Sequence, residues 1–133
     1  MPIRLLLVTT LLLIGCRPYQ QLTRQLPTFA NMQAAATAIQ RICERDGSVS
    51  EEAALSILEK VSDGRDDWGN RIVYASRSMP AFSFVLISPG QDGVFERDDP
   101  SQYFDAPVEN IVGNLDRDIV FRDGEPVTIA SGK

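Results

Sequence analysis

The chain contains no histidine in its 133 residues. That absence removes Ser-His-Asp hydrolases, Cys-His proteases and His-ligated zinc or iron sites together. Cysteine is scarce: two residues, Cys16 and Cys43, cannot make a disulfide framework. Cations are the minority charge, 13 Lys+Arg against 18 Asp+Glu, for a net charge of −5 and a pI near 4.6. Phosphate contacts need clustered cations, so no nucleic-acid partner is expected. No apolar run reaches the roughly 20 residues needed to cross a ~30 Å hydrocarbon core. What is present is the composition of an ordinary globular domain, 44% hydrophobic and 23% charged. The length fits one domain with one architecture, without collagen, coiled-coil or low-complexity character.

The first residues read as an address. Arg4 precedes a mostly apolar stretch over residues 5–14, followed by Gly15 and Cys16. This is the order of a secretory signal: cation, short apolar run, small residue. Leu13-Ile14-Gly15-Cys16 resembles a bacterial lipobox, in which cleavage precedes the cysteine and its thiol receives a diacylglycerol. The resemblance implies a signal peptide over residues 1–15, a lipidated tether over 16–27 and a domain over 28–133. Cys16 would be the lipidation site and the membrane a partner, each buried CH₂ contributing ~0.8 kcal/mol. Arg17 stands where the inner-membrane retention signal of enterobacterial lipoproteins has Asp, which favours the outer membrane, facing the periplasm. Cys43 is then a solitary thiol, expected as a buried small hydrophobe.

Periodicity predicts the domain's elements. Phe29, Met32, Ala36, Ile39 and Cys43 recur at helical spacing, giving a helix over 28–44 that Asp46-Gly47 ends. Ser48-x-x-Glu51 fits a capping box, with Ser50 an alternative N-cap, before a second helix striped by Ala54, Leu55, Leu58 and Val61. Residues 71–75 alternate as a strand, and 81–88 form a nearly continuous apolar run that suggests a central strand. Residues 119–121 and 127–130 read as short strands around an Asp123-Gly124 hairpin turn. Helices precede strands without alternating, so the fold class is α+β: an N-terminal helix pair packed on a small antiparallel sheet.

The charge is concentrated. Between Asp92 and Glu125 ten acids face three arginines, a net −7. Crowded carboxylates repel unless solvated or bridged by a cation. Loop carboxylates and carbonyls are the oxygen ligands that Ca²⁺ takes, and Gly90 and Gly93 allow such a loop to bend. The EF-hand frame is absent, and a simply solvated loop is the competing reading.

Three segments in order look like one family. Asp67-Trp68-Gly69-Asn70-Arg71-Ile72-Val73-Tyr74 resembles the D-P-W-G-N-x-Y-x-Y signature of the type II secretion major pseudopilin, the G subunit. The F-V-L-I-S-P-G-Q-D-G run from Phe84 to Gly93 resembles its strand and S-x-G-x-D-G turn, and Asp116-Arg117-Asp118-Ile119 its closing D-x-D-I. The resemblance covers roughly residues 28–125. It implies a pseudopilin-head-like fold and a Ca²⁺ loop ligated by the Pro89 carbonyl and the carboxylates of Asp92, Asp116 and Asp118. On the residues alone, Trp68 is an anchor over the sheet, and Gly69-Asn70 and Asp92-Gly93 are turns.

Two departures stand out. The family's prepilin site and long N-terminal apolar helix have no counterpart, so its piston role does not carry over with the head domain. The stretch between Gly93 and Asp116 is also longer than the family's, which makes Asp98 and Asp99 an alternative closing pair. The expected function is therefore non-catalytic: a lipid-anchored envelope protein that acts through a protein partner in or near a secretion or pilus-like system. A passive acidic lipoprotein without a metal site is the alternative. A hydrolase built on Asp98 with Asp99, or Asp116 with Asp118, is disfavoured. No cleft for a small-molecule substrate is evident, no acid sits in apolar sequence that would raise its pKa, and Ser48, Ser50 and Ser56 have no base beyond Lys60.

Overall fold

A computed structural model describes residues 27–108 and 117–130. The signal peptide, Cys16, most of the tether, Glu109 and Asp116 lie outside the described residues. The α+β fold is as expected: two helices on a four-stranded antiparallel sheet of order β1-β2-β3-β4. Helix α1 occupies 27–46, so Pro27, assigned to the tether from sequence, is already helical. Gly47, at φ +80°, ends it by donating its N–H to the Cys43 carbonyl at 2.7 Å.

Helix α2 spans Glu51–Ser62 and takes the alternative cap. The Ser50 hydroxyl accepts from the Ala53 N–H at 3.2 Å, while Ser48 stands outside the helix. Val49 fits this choice. It is buried just before the cap, in the same core as Ala54 one turn in, which fixes the entry of the chain. At the other end Asp63 adopts φ 55°, its N–H reaching Glu59 O and the Gly64 N–H reaching Leu58 O, a paired closure of the last turn.

The strands are β1 (Val73–Arg77), β2 (Ser83–Ser88), β3 (Ile119–Arg122) and β4 (Glu125–Val127). The expected strand over 127–130 is displaced: β4 pairs through 125–127, and Ile129 makes only an isolated bridge to Val108. Asp123 and Gly124, both at positive φ, form the tight turn that sets this register.

The alternating faces of the sheet (period 2) separate two cores. Phe84, Leu86, Ile119 and Phe121 join Met32, Ile39, Leu58, Ile72 and Tyr74 beneath the helices. Val85, Ile87 and Val120 face the other way, against Tyr103, Phe104, Ala106 and Ile129. The continuous apolar run of β2 thus has a physical cause: both its faces are covered, one by helices and one by the loop after it. A short 3-10 turn at Pro100–Tyr103, η1, supplies much of that second cover. Trp68 packs as a partly buried edge of the first core. Cys43 is half-buried, not buried, because it lies near the end of α1 and lines an open pocket there. Among the described residues no helix is long and apolar enough to cross a membrane.

Candidate functional site

The W-G-N turn and the S-P-G-Q-D-G turn are far apart in sequence and bound together in space. Their link is Asp66, which is 7% exposed. Its Oδ1 accepts from the N–H groups of Trp68 (3.1 Å) and Asn70 (2.8 Å). Its Oδ2 accepts from Ser88 Oγ at 2.8 Å and from Asn70 Nδ2 at 3.3 Å. Asn70 Nδ2 also donates to the Gly90 carbonyl at 3.0 Å. Ser88 Oγ in turn accepts from the Gly90 N–H at 3.2 Å. One buried carboxylate therefore satisfies four donors and aims the second turn. Gly93 is required for the same reason: a Cβ there would sit 3.0 Å from Asn70 Oδ1, at φ +70°. Sequence reading singled out Trp68, Gly69, Asn70, Gly90 and Gly93 but missed Asp66. It reads as one more acid in a turn, and only burial distinguishes it.

Beyond this turn the chain crosses the back face of the sheet and is held to β3. The carboxylate of Asp118 is 7% exposed and organises the attachment. Its Oδ2 accepts from the Glu96 N–H at 2.9 Å and from the Tyr103 hydroxyl. The Tyr103 hydroxyl also accepts from the Arg97 N–H at 3.1 Å. Arg117 pairs with Glu96 at 2.5 Å, their side chains 17% and 14% exposed, and donates to the Ile129 carbonyl. Arg97 donates to the Ala130 carbonyl at 2.7 Å.

Burial pushes the Asp118 carboxyl up from 3.8 to about 6, against the opposing hydrogen bonds, with Glu96 and Asp92 adding negative charge. This corrects the expectation that no acid occupies an environment that raises its pKa. The sequence around Asp118 is charged, but the fold covers it with Tyr103 and the loop. Burial and the bond to Asp118 also push the Tyr103 phenol up.

The sequence-derived ligand set divides. Asp118 and Asp92 are brought near enough for their charges to interact. Asp92 is exposed and its Oδ1 accepts from the Val94 N–H at 2.9 Å, shaping its own turn. Pro89 is buried between Ser88 and Gly90. Asp116 lies outside the described residues. The alternative pair has other work: Asp99 caps η1 by accepting from the Ser101 N–H at 2.8 Å, which holds its carboxyl below the usual range. Asp98 is exposed. Among the described residues, no group of three or more His, Cys, Asp or Glu side chains is gathered to hold a metal ion. One atom nevertheless fits a hard cation. Asp118 Oδ1 is buried with no hydrogen-bond partner, and a buried carboxylate oxygen left so carries a desolvation cost that a cation would remove. Compared with protein-family models, curated proteins and solved structures, the chain matches none of them.

Proposed function

We propose that the chain is a lipid-anchored, non-catalytic envelope protein whose pseudopilin-like domain binds Ca²⁺ in its acidic loop and acts by holding a protein partner, in or near a type II secretion or pilus-like system. The lipobox-like Leu13-Ile14-Gly15-Cys16 supports the anchor, and Arg17 after it supports the outer-membrane, periplasm-facing location. The observation that carries the calcium reading is the buried, unpartnered Oδ1 of Asp118 beside the charge of Asp92. These two carboxylates and the Pro89 carbonyl would hold the ion, with Asp116 available from outside the described residues. Bound Ca²⁺ supplies positive charge to a segment of net −7. The chain's own residues do the rest: Asp66 and Asn70 aim the 89–93 turn, and Tyr103 and Glu96 fix Asp118. The product is a rigid loop surface, which suits recognition and not turnover.

Extracellular calcium modules have Kd of about 10⁻⁴–10⁻³ M, so millimolar Ca²⁺ adds on the order of 1 kcal/mol. For a domain near 100 residues that is roughly 4–8 °C in Tm. Both cores lie between Met32 and Ile129, so a chain starting at residue 17 is the material for the test. Its melts are compared in Ca²⁺, Mg²⁺ and chelator at fixed ionic strength. A calcium-specific rise that Asp92→Ala abolishes supports the reading. Superimposable melts overturn it and leave a passive acidic lipoprotein.

A further inference from the structure

The opposite end of the sheet from Asp118 carries a second feature. Where α1 ends against the start of β2 and the β3–β4 turn, an open pocket of about 270 Å³ is lined by Cys43, Glu44, Gly47, Phe82, Phe84 and Asp123. Its lining combines the partly buried Phe82 with the acids Glu44 and Asp123. Asp123 is fixed in place: its Oδ1 accepts from Ser83 Oγ at 2.8 Å and from the Phe84 N–H at 3.0 Å. Glu44 is exposed. The C-terminal end of a helix adds the negative pole of its backbone dipole. Burial first, then the charges of Asp123 and Glu44, push the Cys43 thiol up, so both carboxylates act at the thiol.

We propose that this pocket receives the guanidinium of an arginine carried by a partner protein, set between Glu44 and Asp123 and lying against Phe82. A planar guanidinium matches this lining better than an ammonium, because it forks onto carboxylates and stacks on aromatic faces with weaker hydration. The inference rests on the domain being a protein-interaction module and names the chemistry its partner presents.

Cys43 makes the pocket testable. The full chain in detergent micelles is labelled with a cationic and an anionic alkylthiosulfonate, and modification of Cys43 is followed by peptide mass mapping. Rates are normalised to a small free thiol. The cationic reagent should be favoured about five-fold or more at low salt, and the ratio should shrink in Glu44→Gln and in high salt. Nα-acetyl-arginine methylamide should slow labelling by a neutral maleimide, and its uncharged citrulline counterpart should not. A ratio near one, equal protection by both amides, or no reaction with any reagent overturns the proposal. The calcium melts report on the other end of the sheet, so either reading can fail while the other stands.

Discussion

Asn70 donates its side-chain amide to the backbone carbonyl of Gly90, 3.0 Å away and twenty residues on. Two glycine turns that look like independent punctuation in the sequence are thereby one structure. Asp66 sits behind them both, holding Asn70 by its N–H and its amide and Ser88 by its hydroxyl.

Removing the Asn70 amide should therefore loosen the 89–93 turn as well as its own. Asn70→Ala is expected to cost about 1–3 kcal/mol, since it leaves buried partners short of a donor. Gly93→Ala should cost about 1–2 kcal/mol from its left-handed backbone, plus the push of a Cβ against Asn70 Oδ1. Because the two changes act on one contact, the double variant should lose less than the sum. Urea unfolding of the four proteins measures this, and strict additivity would show the contact to be incidental.

The two serines before α2 give a sharper comparison. Ser50→Ala removes the hydroxyl that accepts from Ala53 N–H and should cost about 1 kcal/mol. Ser48→Ala should be near neutral, because Ser48 is exposed and precedes the cap. Equal losses would indicate that the capping box counted from Ser48 forms in solution.

Why the first serine looked better is instructive. Ser48-x-x-Glu51 satisfies a local pattern, but Val49 has to be buried, and the helix begins where that burial permits. Elsewhere local pattern sufficed: Asp123-Gly124 predicts its turn because only that backbone closes a two-residue hairpin. The apolar run of β2 announced a central strand, and its second cover was hidden. Tyr103, Phe104 and Ala106 are spread through a segment dominated in sequence by acids, and those acids (Asp98, Asp99, Asp105) stay exposed while the aromatics turn inward. Asp66 was missed for the same reason, and Asp118, named as a ligand only through the resemblance, gave no sign of its burial. Among eighteen acids, nothing in one sequence marks Asp66 and Asp118, the two buried among the described residues.

The burial of Asp118 has a sign that can be measured. Its carboxyl is raised from 3.8 to about 6 in the folded chain. Between those values the folded state holds a proton that the unfolded chain has released, so this group's contribution is fully present below about pH 4. It is lost as pH rises through about 6. In chelator, the stability of the native chain relative to Asp118→Asn should fall across that window and level off above it. Calcium should counter the fall, so its Tm increment should be larger at pH 7.5 than at pH 5. A difference curve flat from pH 4 to pH 7 would mean that Asp118 is hydrated in solution.

Arg122 tests whether the loop is a separable layer. Its Nη1 donates to the carbonyls of Phe104 (2.8 Å), Tyr103 (3.3 Å) and Ala106 (3.3 Å), gathering the chain where η1 ends. Arg77 lies over the Phe104 ring at 4.8 Å and pairs with Asp105, an exposed contact that adds little. Arg122→Ala should therefore cost about 2–3 kcal/mol, the scale of a charged hydrogen bond and its orphaned acceptors. The loss should be unevenly placed. The helix-covered core contains none of these contacts, so amides of α1 and α2 should keep their exchange protection. The Glu96 and Arg97 amides, held by Asp118 and Tyr103, should exchange faster. Calcium should then stabilise Arg122→Ala less than the native chain, because Tyr103, which holds Asp118, is no longer anchored through its carbonyl. Native hydrogen exchange with and without Ca²⁺ reads both effects. Uniform loss of protection in helices and loop alike would show instead that the two faces of the sheet unfold as one unit.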